Sequence, residues 1–221
     1  MPVAVQAVPF LAGLGLLAAA LGAGFGGWAA LPVAAPVLFV LWFFRDPERV
    51  PPPGEGLVLS PADGRVTAVE RGPEGARISI FLSVFDCHIN RSPVAGVVTE
   101  ARHTRGRFRP AWDARAGHEN ERNRLVIRAP SGDYEVTQVA GVLARRIVCV
   151  KGPGDRVDRA ERIGMIRFGS RTDLRLPPGL APLVAVGDRV RGGLSVLARG
   201  RAAGEAVEPR LSRDAAAAAG P

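Results

Sequence analysis

Residues 164–177 read GMIRFGSRTDLRLP, a stretch that alternates like a β-strand except for the pair Gly169-Ser170 at its centre. A β-branched residue would serve a strand better there, so the pair reads on its own as a bulge or a turn. The segments around it carry the same signature. Between Pro51 and about Arg201 no long amphipathic helix is legible, and short strand-like runs recur between turn signals: GLVLS, GRVTAVE, ARISIFLSVFDCHI, GVVTEARHT, NRLVIRA, YEVTQVAG, RRIVCV, GMIRFGS, APLVAV and GLSVLA. That spacing predicts an all-β sandwich or barrel. Two segments echo each other, GDRVDRAERIG at 154–164 and GDRVRGGLSVL at 187–197. Each places a Gly-Asp turn before a short strand, like the hairpins of biotinyl- and lipoyl-carrier sandwiches.

Ahead of this β region lies a different kind of sequence. No charged side chain occurs from Pro2 to Phe44, a run far longer than the ~20 residues that cross a bilayer once. No basic residue precedes it, which argues against a cleaved secretory signal. The glycine-rich break at 22–27 divides it into two helices, about 4–22 and 28–44, forming a hairpin across or into a membrane. Trp28, Trp42 and the pair Phe43-Phe44 suit interfacial positions, and Arg45 and Arg49 just beyond favour a cytoplasmic exit. The expected organisation is a membrane-anchoring helical hairpin over 1–45, a main β domain over 46–205 on the cytoplasmic side of the cell membrane, and a tail over 206–221 without a core-forming pattern.

The net charge of +8 invites a nucleic-acid reading, but all but one of the 29 basic residues are Arg, spread through every segment. Such a surface favours anionic lipid, and no nucleic-acid partner is expected. The two cysteines, Cys87 and Cys149, fit reduced thiols better than a disulfide framework.

Three polar islands could carry chemistry. In ISIFLSVFDCHINRSP, 78–93, regular alternation would place Ile78, Ile80, Leu82, Val84, Asp86, His88 and Asn90 on one face, with Arg91 beside the polar end. The second island is LSPADGRV, where Asp63 precedes Gly64 as in an ordinary Asp-Gly turn. The third, RGRFRPAWDARAGHENERNRLVI, is too polar for core, with Glu121, Arg122 and Asn123 its densest cluster and His103 and His118 read as surface residues. No metal-ligand spacing is recognisable, so no metal is expected. A serine hydrolase lacks its G-x-S-x-G elbow.

The ordered blocks SPADGRV, FLSVFDCHINRSPVAGVV, RGRFRPAWDARAGHENERN, ARRIVC and RIGMIRFGSRTDLRLP, following an apolar hairpin, resemble the phosphatidylserine decarboxylase proenzymes of the short, archaeal-type subgroup. The resemblance covers residues 8 to 200. It implies that Ser170 attacks the carbonyl of Gly169, cutting the chain into a β chain, 1–169, and an α chain, 170–221, and leaving a pyruvoyl group derived from Ser170. That group would form a Schiff base with the amine of an anionic phospholipid and act as the electron sink for loss of CO2, giving phosphatidylethanolamine. An Asp-His-Ser arrangement is carried over as Asp63, His88 and Ser170, with His88 as base and Asp63 as its orienting carboxylate. Longer bacterial members read His-x-x-His-x-Pro where this chain has Arg91 in the second His position. An arginine cannot serve as a base near neutral pH, so Arg91 is expected to bind a lipid phosphate or carboxylate. Decarboxylation of a related serine headgroup lipid such as archaetidylserine is the near alternative. A non-enzymatic, membrane-anchored carrier-like adaptor is the alternative from another class. A homo-oligomer is compatible with the sequence.

Overall fold

The computed structural model describes residues 2–109, 116–141, 146–167 and 170–200. A one-turn 3-10 helix at Val5–Ala7 leads into α1 (Val8–Phe25), a second 3-10 segment (Gly27–Val33) and α2 (Ala34–Phe43). Among the described residues thirteen strands follow: β1 (Leu57–Leu59), β2 (Gly64–Gly72), β3 (Gly75–Leu82), β4 (Ile89–Arg91), β5 (Gly96–Thr104), β6 (Arg122–Ala129), β7 (Gly132–Ala140), β8 (Ile147–Cys149), β9 (Arg156–Val157), β10 (Arg162–Ile166), β11 (Ser170–Leu176), β12 (Arg189–Val190) and β13 (Val196–Arg199). A single turn, α3 (Ala116–Glu119), precedes β6.

The all-β expectation holds. Eight strands form one antiparallel sheet in the order β12-β2-β3-β11-β7-β6-β5-β9, curled into a half-barrel, and β4-β10-β8 form a smaller sheet. The inward rows Ile78-Ile80-Leu82, Leu125-Ile127, Tyr134-Val136 and Leu174-Leu176 build the core, as period-two alternation requires. Ser170 therefore opens a central strand, flanked by Leu82 on β3 and Ala140 on β7.

The two echoing segments fold alike. Asp155 and Asp188 each cap their turn, accepting from the amides of Gly152 and Ala185 at 2.8 Å. Gly154 and Gly187 take φ of 95° and 100°, the left-handed region that favours glycine. Their amides donate to the carbonyls of Val98 and Val66, both at 2.8 Å. The likeness extends to two Ser-Pro turns, where Ser60 and Ser92 bond the carbonyls of Ala62 and Val94 at 2.6 Å. The two halves interlock there, for the Leu59 amide donates to Pro93 and the Arg91 amide to Pro61, each at 2.9 Å.

The helical hairpin departs from its expected bounds. Proline at 32 lacks the N–H that an α-helix needs, and residues 27–33 wind as 3-10 helix, leaving only ten residues for α2. Val5–Phe25 is the one segment among the described residues long and apolar enough to cross a membrane, and it is exposed in the fold. Both ends of the hairpin close together: Val3 bridges Arg45, the Ala4 amide donates to Phe44 at 2.8 Å, and the Asp46 amide donates to Pro2 at 2.9 Å. Trp28 stands out of the protein, but Phe43 and Phe44, expected at an interface, are fully buried. They pack with Ala4, Ala7 and Val40 against Cys87, Ile89 and Met165 of the β domain.

Candidate active site

Strand β3 does not continue to His88, as regular alternation would have it. It ends at Leu82 because Asp86 folds back as a turn cap, accepting from the Ser83 amide at 2.8 Å and from its hydroxyl at 2.6 Å. The chain then crosses to the smaller sheet, where β4 pairs with β10. This crossing delivers His88 beside the centre of the large sheet. The His88 carbonyl accepts from the Ile166 amide at 3.3 Å, four residues before Ser170. Asn90, two residues past His88, donates to Thr172 Oγ1, two residues past Ser170, at 3.1 Å.

Ser170 is fully buried, and its Oγ has no hydrogen-bond partner among the described residues. An unsatisfied buried hydroxyl is costly, and such groups mark places where reactivity is stored. Gly169 lies outside the described residues. His88 is also buried. Its Nδ1 lies 3.0 Å from the Asp86 carbonyl oxygen and its ring centroid 4.4 Å from that of Phe43. Burial pushes its pKa down to about 4, against the raising influence of the Asp86 carbonyl, the Asp86 charge and, more weakly, Asp63. The imidazole is thus neutral at neutral pH and able to accept a proton.

The carboxylate of Asp63 is held elsewhere. Arg49 grips it bidentately at 2.5 and 2.8 Å, and the Gly192 amide donates to it at 2.7 Å. Its charge acts on His88, while the Asp86 carbonyl fixes the ring. Arg91, too, is engaged: it is buried, with donors on Asp46 at 3.2 Å, the Pro47 carbonyl at 2.8 Å and the Ala160 carbonyl at 3.0 Å. A lipid anion at Arg91 would have to displace Asp46. His103 lies on the surface 3.5 Å from Glu121, and His118 is exposed.

The sequence did not point to the amide relay above Ser170. Asn123 donates to Gln138 Oε1 at 3.0 Å, Gln138 to Asn90 Oδ1 at 2.8 Å, and Asn90 to Thr172. Gln138 is the register partner of both Asn123 and Thr172, so the relay crosses β6, β7 and β11 and ties β4 onto them. A polar Gln at an inward position between Val136 and Ala140 was the available signal. No cluster of three or more metal-ligating side chains occurs among the described residues, and Cys87 and Cys149 are both free thiols.

The profile of the phosphatidylserine decarboxylase family matches residues 37–198. Proteins named phosphatidylserine decarboxylase proenzyme are similar along most of the chain. One from Pelobacter propionicus is 45% identical over 90% of this chain and 96% of its own length. One from Symbiobacterium thermophilum is 52% identical over 83% and 90%, and one from Gluconobacter oxydans 51% identical over 73% and 76%. These relatives are bacterial, and they lend no support to the archaeal-type subgroup expected from the motifs.

Proposed function

Because this chain belongs to the phosphatidylserine decarboxylase family, we propose that it is a proenzyme that cuts itself at Gly169-Ser170 and then converts phosphatidylserine to phosphatidylethanolamine and CO2. The observation that carries the assignment of the cut is the buried, unpartnered Oγ of Ser170 at the head of a central strand, in the neighbourhood of a neutral histidine.

His88 takes the hydroxyl proton as Oγ attacks the Gly169 carbonyl carbon. The C–N bond breaks as His88 passes that proton to the leaving nitrogen, which becomes a free amine, and an ester joins the two pieces. Loss of the α-proton of residue 170 expels the Gly169 carboxylate. The resulting dehydroalanine takes up water and releases ammonia, leaving a ketone at the new N-terminus. That pyruvoyl group supplies an electrophile for the substrate amine and an electron sink for decarboxylation. The chain's own residues do the rest: Asp86 holds the His88 ring, the Asn123-Gln138-Asn90-Thr172 relay holds β4 against β11, and Asp63 with Arg49 fixes the adjoining turn. The aromatic base of the hairpin keeps water from His88, and the hairpin holds the site at a lipid surface. Arg45 and Arg49, beyond its end, support a cytoplasmic domain.

The test is an intact-mass measurement on purified protein. Two pieces are expected, residues 1–169 and 170–221, the shorter blocked at its N-terminus and reactive toward carbonyl reagents. Ser170→Ala should remain whole and release no CO2. A single unmodified chain in a preparation that decarboxylates phosphatidylserine would overturn the assignment.

A further inference from the structure

The smaller sheet has two faces. Gly164 and Ile166 of β10 face the large sheet, where a Cβ at Gly164 would lie 3.0 Å from Gln138 Nε2 and Ile166 packs with Ala140, the register partner of Ser170. Met165 and its register partner Val148 on β8 face the other way, into the apolar cluster of the helical hairpin. One step beyond this ladder, the Arg167 amide donates to the Arg146 carbonyl at 3.2 Å. By period-two alternation, Arg146 continues the row of Val148 and Arg167 the row of Met165. Two guanidinium groups therefore leave the same face of the sheet from opposed positions, at the edge where the hairpin's apolar contact ends.

Like charges directly opposite on two strands repel. Here no counter-charge offsets them, because neither residue has an ion-pair partner among the described residues, and the buried Nε of Arg167 has no hydrogen-bond acceptor. Desolvation, followed by the charge of Arg146, pulls the Arg167 guanidinium below its ordinary basicity. The Arg167 head lies 5.6 Å from the ring of Phe10 in α1, so the pair stands beside the apolar helix that meets lipid. It is also three residues along the chain from Ser170.

We propose that Arg146 and Arg167 form a phosphodiester site, taking the headgroup phosphate of the lipid substrate while its amine reaches the position of Ser170. The inference rests on the decarboxylase reading above. Four covalent bonds separate phosphorus from the amine in a serine headgroup, and a site for the phosphate must stand a short way from the electrophile on its membrane side. Two arginines side by side match the planar, bidentate recognition that a phosphodiester favours.

The experiment compares wild type with Arg146→Gln, Arg167→Gln and the double variant, using phosphatidylserine as the only anion in neutral detergent micelles. Conversion into two pieces on a gel reports that each variant has folded. The expected result is a KM raised at least tenfold in the double variant with kcat changed less than threefold, and partial recovery in Arg146→Lys. Glycerophosphoserine should inhibit wild type and lose potency in the double variant, while inorganic phosphate at equal concentration should not inhibit. If wild type releases no CO2, the decarboxylase reading fails. If wild type is active and the double variant keeps its KM, the phosphodiester site fails. Loss of pelleting with phosphatidylglycerol vesicles at an unchanged micellar KM would overturn it in favour of general anionic-lipid contact. Loss of self-cleavage would overturn it by moving the pair into the first reaction.

Discussion

The ring of Phe43, the last residue of α2, stacks at 4.4 Å and a 36° tilt on the ring of His88. A residue of the hairpin thus forms one wall of the histidine's pocket, and Phe44, Cys87 and Ile89 close around it. Desolvation is the largest influence on His88, and the ring stacked on it belongs to an element that sequence alone reads as a separate anchor.

Removing that wall should change the acid limb of self-cleavage. In wild type, His88 stays neutral down to about pH 4, so cleavage at pH 5.5 should nearly equal that at pH 7.5. In Phe43→Ala water reaches the ring and its pKa moves toward ~6.5, so the pH 5.5 rate should fall about tenfold below the pH 7.5 rate. The truncation should also cost about 3–5 kcal/mol of stability. Phe43→Leu, which keeps most of the volume, should fold where Ala does not and show a smaller displacement of the same sign. A gel time course across pH measures both.

Burial of His88 also ties stability to pH. Its pKa in the fold, about 4, lies below the ordinary 6.5, so between these values the unfolded chain binds more protons than the folded one. The contribution is complete above pH 6.5 and is lost as pH falls through about 4, amounting to about 3 kcal/mol. Asp86, Arg45 and Asp63 are the charges that act on the ring. Denaturation midpoints measured on uncleaved Ser170→Ala should fall across this window, and addition of His88→Gln should flatten the dependence.

Gln138→Leu keeps a side chain of similar size but strips hydrogen-bond partners from the buried Asn123 and Asn90. A cost of about 1–3 kcal/mol for each orphaned group is expected. Because Asn90 ties the segment carrying His88 to β11 at Thr172, cleavage should slow even in the protein that remains folded. An unchanged cleavage rate would remove the relay from the positioning of the site.

Arg91 tests whether the departure from the His-x-x-His pattern serves lipid or fold. Arg91→Ala removes one partner of Asp46, which keeps Arg162 at 2.6 Å, and orphans the Pro47 and Ala160 carbonyls, so a cost of about 1–3 kcal/mol is expected. Arg91→Lys keeps the charge. If Arg91 binds lipid through a bidentate fork, the Lys variant should raise KM for phosphatidylserine. If Arg91 clasps Asp46 and the Pro47 and Ala160 carbonyls, the Lys variant should lose stability at an unchanged KM.

Deleting residues 2–44 should move the protein off membranes, and it also uncovers Cys87, Ile89 and Met165. Cleavage by the truncated chain should be impaired at pH 5.5, where an uncovered His88 would be protonated. Full-rate cleavage at that pH by a folded truncation would make the hairpin an anchor and nothing more.

The β architecture was legible because alternation and turn residues are local signals, and each echo segment repeats the same Gly-Asp chemistry. Ser170, His88 and Asp63 could be nominated from short motifs for the same reason. What stayed hidden depends on distant register. Asp63 pairs with Arg49 and the Gly192 amide, contacts made only after β12 and the segment before β1 have docked. Phe43 reads as an interfacial aromatic because its burial comes from Cys87 and Met165, far along the chain. The break after Leu82 was in principle visible in Ser83 and Asp86, whose side chains compete with the strand ladder.

The position of Ser170 within the sheet fixes the lifetime of the chemistry. β11 is laced to β3 through seven register pairs and to β7 through six, and β12 and β13 are stitched to β2 and β1. A nick before Ser170 therefore frees nothing, because withdrawing the shorter piece would mean tearing a middle strand from two ladders at once. The two pieces should stay together until global unfolding, with no exchange of a used piece for a fresh one. On the proposed cut, each molecule would carry one electrophile, made once, and its working life would end when that ketone is spent.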